Sequence, residues 1–195
     1  MNKISIPETK AILVASFYRF YPLAQVTDLK LELDVICQKE KMLGTIILAT
    51  EGINGTIAGS QEGVHKVLQF LWTKESLKSL IPKFSIATKP IFKSMRIRIR
   101  EEIVAMKQEG LDPSKKTGDF VRPEDWNNFI VDPDTLVIDT RNFYEHALGS
   151  FKGSIKADTQ YFREFPDWIE KNFKDAKSKR IAMFCTGGIR CEKAS

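Results

Sequence analysis

Three features of the sequence predict an α/β chain of two domains. Between residues 11 and 87 the hydrophobic pattern runs strand–helix–strand–strand–helix–strand, the order of a ferredoxin-like split βαβ domain of the α+β kind. Beyond residue 120 short apolar runs alternate with amphipathic stretches, which favours a parallel sheet. Between the two regions, Gly110 to Asp119 is rich in Gly, Pro, Ser and Lys, the composition of a linker. The expected domains are therefore 1–110 and 121–195, joined by a linker at 111–120.

Each element has its own signal. Ala11 to Tyr18 is a short apolar run that reads as a buried strand. Pro22 then opens a helix in which Leu23, Val26, Leu29, Leu33 and Ile36 recur at helical spacing, with Gly44 past its end. Gly44 to Ala49 is strand-like, Glu51 to Gly55 a tight turn in which Gly and Asn supply positive φ, and Thr56 to Ala58 the returning strand. A phosphate-cradling role for that turn has little support, since no Lys-Ser/Thr follows as in a P-loop. A second helix is predicted from Ser60 or Gln61 to Trp72, with Val64, Val67, Leu68 and Leu71 on one face, and a strand at Phe84 to Ala87.

From Lys93 to Val104, basic and apolar residues alternate. A half-buried strand would place Arg96, Arg98 and Arg100 on its open face and Ile97 and Ile99 toward the core. Such charge runs are most often solvated faces. A regular basic stripe, here with Lys93 and Lys89 nearby, also tracks phosphate backbones. In the second region a helix starts at Pro123, Leu136 to Ile138 is a strand, Tyr161 to Phe173 is helical except near Pro166, and Ile181 to Phe184 is a strand. Ligands of parallel sheets bind at the carboxyl ends of the strands, where Asp139 and Cys185 fall.

Composition bounds the function. The 195 residues carry a net charge of +5 and are 43% hydrophobic, ordinary for a globular protein and weakly suggestive of a polyanionic partner. No run has the roughly 18 apolar residues needed to span a bilayer. Pro7, Glu8 and Lys10 interrupt any signal-peptide pattern, and the three cysteines do not make a paired disulfide framework. A cytoplasmic protein without membrane association is expected. Two cysteines without nearby histidines make a poor zinc site, so no metal is expected.

The stretch richest in chemistry is Cys185-Thr186-Gly187-Gly188-Ile189-Arg190-Cys191, directly after a strand. A strand–loop–helix of this kind lets several backbone N–H groups converge on one point. With Arg190 they favour a thiolate at Cys185, the reactive form of the residue. The bland alternatives are a small core cysteine and a surface salt bridge for Arg190, but a core cysteine does not need Thr-Gly-Gly and Arg after it. Cys191 is placed either for a disulfide or resolving role or for burial in the helix. His65 and His146, the only histidines, read as solvated and structural respectively, which leaves Cys-His proteolysis unsupported.

This loop resembles the active-site loop of rhodanese domains, where the cysteine carries a persulfide. Leu136 to Arg141 resembles the rhodanese strand ending in Asp-x-Arg, and Tyr144-Glu145-His146 with Gly149 to Ile155 the segment that follows it. Ala49 to Gly59, Phe143-Tyr144-Glu145 and Phe162-Arg163-Glu164-Phe165-Pro166 are similar to one subgroup, the rhodanese-containing tRNA uridine-34 hydroxylases. The resemblance implies a rhodanese-like second domain and a fragment of it here, since such domains continue beyond the helix that Ser195 cuts short. It implies oxygen-dependent 5-hydroxylation of the wobble uridine, with Cys185 catalytic, Thr186 to Arg190 forming the active-site loop, Asp139 and Arg141 supporting its base, and tRNA bound through Lys93, Arg96, Arg98 and Arg100. Molecular oxygen would be the co-substrate; no flavin, haem or iron signature is evident. A sulfurtransferase passing sulfane sulfur through a Cys185 persulfide fits the loop equally well. A non-enzymatic RNA-binding module with a vestigial loop is a further alternative.

Overall fold

The structure, a computed structural model, describes residues 11–174 and 179–195; the stretch with Pro7, Glu8 and Lys10 lies outside them. The chain divides into two compact units, 1–103 and 104–195.

The first unit is built on strands β1 (Ile12–Phe20), β2 (Leu43–Ala49), β3 (Gly52–Gly59), β4 (Lys83–Ala87) and β5 (Met95–Ile99), in the sheet order β4-β1-β3-β2-β5. The first four strands are antiparallel neighbours, and β5 joins the β2 edge in parallel. With helices α1 (Val26–Lys39) and α2 (Gln61–Trp72) this is the split βαβ topology, extended by one strand. Strand alternation sends Ala15, Phe17, Ile46, Leu48, Ile53, Ile57 and Ile97 to one face, where they pack with Leu29 and Leu33 of α1 and Val64, Leu68 and Leu71 of α2. Ser60 caps α2, its hydroxyl accepting the Gly63 N–H at 3.1 Å.

Two local expectations need correction. Helix α1 starts at Val26, not Pro22, and its buried stripe closes on Cys37 rather than Ile36. The turn after β2 is confined to Thr50 and Glu51, because Ala49 already faces Gly52 across the ladder. Ile53, Asn54 and Gly55 therefore belong to β3. Gly52 has φ +149°, and a Cβ there would lie 2.0 Å from the Arg19 carbonyl oxygen, so close approach to β1 explains this glycine. Burial raises the Cys37 thiol to about 12, with Asp34 adding to the effect; it is an inert core residue.

The second unit holds a parallel three-stranded sheet in the order β7-β6-β8, with β6 (Thr135–Asp139) central between β7 (Ile155–Lys156) and β8 (Arg180–Phe184). Helix α3 (Pro123–Ile130) begins on its proline, and the short α4 (Phe143–His146) follows β6. A 3₁₀ turn at Phe162–Glu164 leads into α5 (Phe165–Phe173). Pro166 does not interrupt this helix; it sits in its first turn, where a missing N–H costs nothing. The core gathers Ile138, Ala157, Phe162 and Phe165, and Met106 from upstream of residues 111–120. The final helix, α6, is Ile189–Ala194. None of the helices among the described residues is long and apolar enough to cross a membrane.

Candidate active site

Strand β8 ends at Phe184, and the chain turns through Cys185 to Gly188 before α6. Gly188 has φ +99°, a conformation that favours glycine, and it turns its N–H back on the Cys185 sulfur at 3.0 Å. The backbone N–H groups of Arg190 and Cys191 also point at that sulfur, as do the Cys191 thiol and the Arg190 guanidinium. Among them the Cys191 thiol does most to lower the Cys185 thiol. Against the cost of burial, the donors together bring the Cys185 thiol down to about 5. The cradle thus favours the thiolate form of Cys185. The thiolate in turn holds Cys191 protonated, its thiol pushed well above the ordinary value. The Cys191 sulfur also lies 3.5 Å from the Thr140 hydroxyl.

Glu145 braces the loop from outside. It takes both Arg190 Nη atoms, at 2.7 and 2.8 Å, and accepts the Thr186 hydroxyl. The Arg190 pair leads the interactions that lower the Glu145 carboxyl to about 2. Both side chains of the pair are largely shielded from solvent, and the bidentate geometry fixes the plane of the guanidinium. Glu145 is a positioning residue that inspection of single residues missed. Asn142 and Glu145 have the N-cap to N3 spacing, and the Asn142 N–H donates to the Glu145 carboxylate. That spacing marks the start of α4 but says nothing of Arg190.

Asp139 sits at the end of β6, fully buried. It receives the Arg141 backbone N–H at 3.0 Å, Arg141 Nε at 2.9 Å, Arg141 Nη2 at 2.8 Å and the Ser150 hydroxyl at 2.8 Å. Burial alone would raise its carboxyl, but these bonds outweigh it and hold the group below its usual range. Arg141 also ties down the Gly149 carbonyl at 2.6 Å and lies over the Phe184 ring. Thr140 donates its backbone N–H to the Phe184 carbonyl at 3.1 Å, so the ends of β6 and β8 are tied together directly before the loop. The structure therefore brings Cys185, Thr186, Gly188, Arg190, Asp139 and Arg141 to one end of the parallel sheet and adds Glu145, Thr140 and Cys191. His146 ends α4 and His65 is exposed on α2, edge-on to Phe84.

The basic candidates lie in the first unit. Arg96 and Arg98 pair with Thr45 and Ile47 across the β2–β5 ladder, two residues apart and so on one face. Arg100 continues past the strand end, its N–H donating to the Leu48 carbonyl at 2.9 Å, and Lys93 precedes the strand. All four are exposed. Among the described residues none of them forms an ion pair. Ile97 is buried as expected, but Ile99 is 41% exposed, because the edge strand leaves its outer end uncovered.

If the Cys191 thiol is the main donor to Cys185, Cys191→Ala moves the Cys185 titration from about 5 toward the ordinary thiol value. The rate of iodoacetamide alkylation of Cys185 against pH reports this directly. An unmoved profile assigns the thiolate to the backbone donors and Arg190.

A thiolate cradled by backbone N–H groups beyond a parallel strand, with a buried Asp-x-Arg pair at its base, makes the second unit a rhodanese-like cysteine domain. Residues 12–103 match the family model described as a UPF0176 acylphosphatase-like domain. The chain is 48% identical over 190 residues to a protein of Sinorhizobium medicae named tRNA uridine(34) hydroxylase, an alignment covering 97% of this chain and 60% of that one. Proteins of the same name from Brucella anthropi and Acaryochloris marina are 46% and 45% identical, over 93% and 94% of this chain and 60% and 59% of theirs. The chain is thus homologous, over nearly its whole length, to the tRNA uridine(34) hydroxylases. It spans about 60% of the length of these curated relatives.

Proposed function

We propose that this chain carries the cysteine centre of an oxygen-dependent hydroxylase that converts uridine-34 of tRNA to 5-hydroxyuridine in the cytoplasm. The observation that carries the proposal is the Cys185 sulfur just past the end of β8, which receives the Gly188 N–H at 3.0 Å in a cradle of donors that favours its thiolate. Uracil is poorly reactive at C5. Addition of the thiolate to C6 forms an S–C6 bond and moves the ring's π electrons toward C5 and the C4 carbonyl, which makes C5 nucleophilic. C5 then takes one oxygen atom derived from molecular oxygen. The second atom leaves as water, using two electrons from a reductant outside this chain. Loss of the C5 proton and cleavage of S–C6 return the thiolate and release 5-hydroxyuridine. Arg190, fixed by Glu145, would stabilise negative charge on sulfur at the start and end of this cycle. The name of the relatives favours hydroxylation over sulfane-sulfur transfer.

The test is nucleoside mass spectrometry of tRNA from cells lacking the gene, re-supplied with wild-type or Cys185→Ser protein. Return of 5-hydroxyuridine-derived nucleosides with wild type alone supports the proposal. If those nucleosides never depend on the gene, it falls, and a persulfide assay on the same proteins addresses sulfur transfer.

The exposed stripe of Arg96, Arg98 and Arg100, with Lys93, is proposed to contact tRNA phosphates. Replacing the three arginines by glutamine is expected to weaken tRNA binding uniformly across sequences. The slope of log K against log salt should become shallower by about 1 per lost contact, measured by filter binding over a salt series. An unchanged slope would remove the stripe from the interface.

A further inference from the structure

The second unit contains a cleft of about 370 Å³ beside the cysteine loop, a size that suits a single small ligand. Val104, Phe162 and Ile189 supply its apolar lining, and Arg190 forms the wall shared with the active site. The same Arg190 guanidinium hydrogen-bonds the Cys185 sulfur, so a ligand held in the cleft lies against the thiolate's own partner. Tyr161 and Arg163 also line the cleft. The Tyr161 residue is 54% exposed, and the Arg163 guanidinium sits 4.6 Å from the centroid of its ring. Arg163 is exposed and has no carboxylate partner among the described residues. The cleft therefore offers an aromatic platform, an uncompensated planar cation and an apolar lining.

That combination has a specific complement. A flat ring stacks on Tyr161, and an anion attached to it neutralises Arg163. Proteins take unstacked bases of single-stranded RNA by stacking them on aromatic rings and guanidinium planes. The volume accommodates one base with its sugar and phosphate. We infer that this cleft seats a single flipped-out nucleotide of an RNA loop, its base stacked on Tyr161 and its phosphate held by Arg163. Tyr161 and Arg163 are then substrate-binding residues. The inference rests on the tRNA reading above only in identifying the nucleotide as uridine-34.

The test uses a fluorescein-labelled anticodon stem-loop RNA with uridine at position 34 and a matched RNA that is abasic there. Binding is read by anisotropy, and occupancy next to the thiolate by protection of Cys185 from iodoacetamide. Tyr161→Ala is expected to weaken binding of the uridine RNA by about 5- to 150-fold and to abolish protection. Tyr161→Phe, which keeps the ring, should bind and protect as wild type does. The abasic RNA should bind wild type weakly and be insensitive to Tyr161→Ala. An unaltered alkylation rate without RNA and an unaltered circular dichroism spectrum show that each variant is folded.

The inference is overturned if Tyr161→Ala binds and protects like wild type, or if neither RNA protects the wild-type thiolate. Its failure is separable from that of the function. Unimpaired 5-hydroxyuridine formation by Tyr161→Ala sinks the cleft assignment alone. Tyr161-dependent protection in a protein that never forms 5-hydroxyuridine keeps the cleft as a nucleotide site and sinks the hydroxylation chemistry.

Discussion

Replacing Cys185 by serine should abolish the proposed hydroxylation, with a loss on the order of 10⁴- to 10⁶-fold, the range seen when a nucleophile is removed from an otherwise intact site. A serine hydroxyl can occupy the same cradle, but it stays protonated at neutral pH, where the cysteine is ionised at a pKa of about 5. The substitution removes the reactive electron pair and leaves the loop's donors in place, so stability and RNA binding should change little. The same chemistry sets a pH profile for the wild type. The thiolate is the active form, so kcat/KM should rise as pH increases through about 5 and level off above it. A profile that climbs only at the ordinary thiol value would mean that the cradle does not act in solution. Retained activity in the serine variant would remove Cys185 from the mechanism.

The second large effect is on stability. Asp139 is fully buried and accepts four hydrogen bonds, three of them from Arg141. Asp139→Ala leaves Arg141, itself only 17% exposed, without its counter-charge and frees the end of β6, to which the end of β8 is tied directly before the loop. Breaking a buried pair by removing one partner costs about 3–5 kcal/mol. For a unit of this size that is a fall in melting temperature of roughly 12 °C or more, to be followed by the fluorescence of Trp126 and Trp168. The pH dependence has a definite sign. The carboxyl is depressed in the folded state. Its contribution is therefore fully present above the unfolded value of about 3.9 and is lost as pH falls through the folded one. Glu145, lowered to about 2, adds to the same acid sensitivity. A variant that melts within a few degrees of wild type would show that Ser150, Gly149 and Arg141 hold the strand end without the carboxylate.

The elements most legible in the sequence are those whose pattern has one physical solution. Val64, Val67, Leu68 and Leu71 can share a face only on a helix, and Ser60 before them is an N-cap; α2 formed where expected. Met95 to Ile99 alternates at period two and became a strand. The errors lie where a residue type has two uses. Gly52 and Gly55 suggested a turn, but Gly52 lets β3 approach the Arg19 carbonyl and Gly55 leaves room for the Phe17 ring. Pro166 suggested a break, but a proline starts a helix as readily as it stops one. Helix α4 and strand β7 are too short for periodicity to register.

The sequence by itself determined the two-unit α/β plan, the position of Cys185 directly after a strand, and the glycine, Gly188, that lets the loop fold back on its sulfur. These follow from interactions between residues near in sequence, such as the Gly188 N–H three positions from Cys185. Only the tertiary structure decided which distant side chains complete the site. Glu145 meets Arg190 across 45 residues, Thr140 meets Cys191 across 51, and Tyr161 and Arg163 share a cleft with Ile189 and Arg190. Contacts of that range depend on how β6, β7 and β8 pair and on what α4 and α5 then carry to the end of the sheet. Local pattern holds no record of them, because each partner satisfies its own segment equally well without the other.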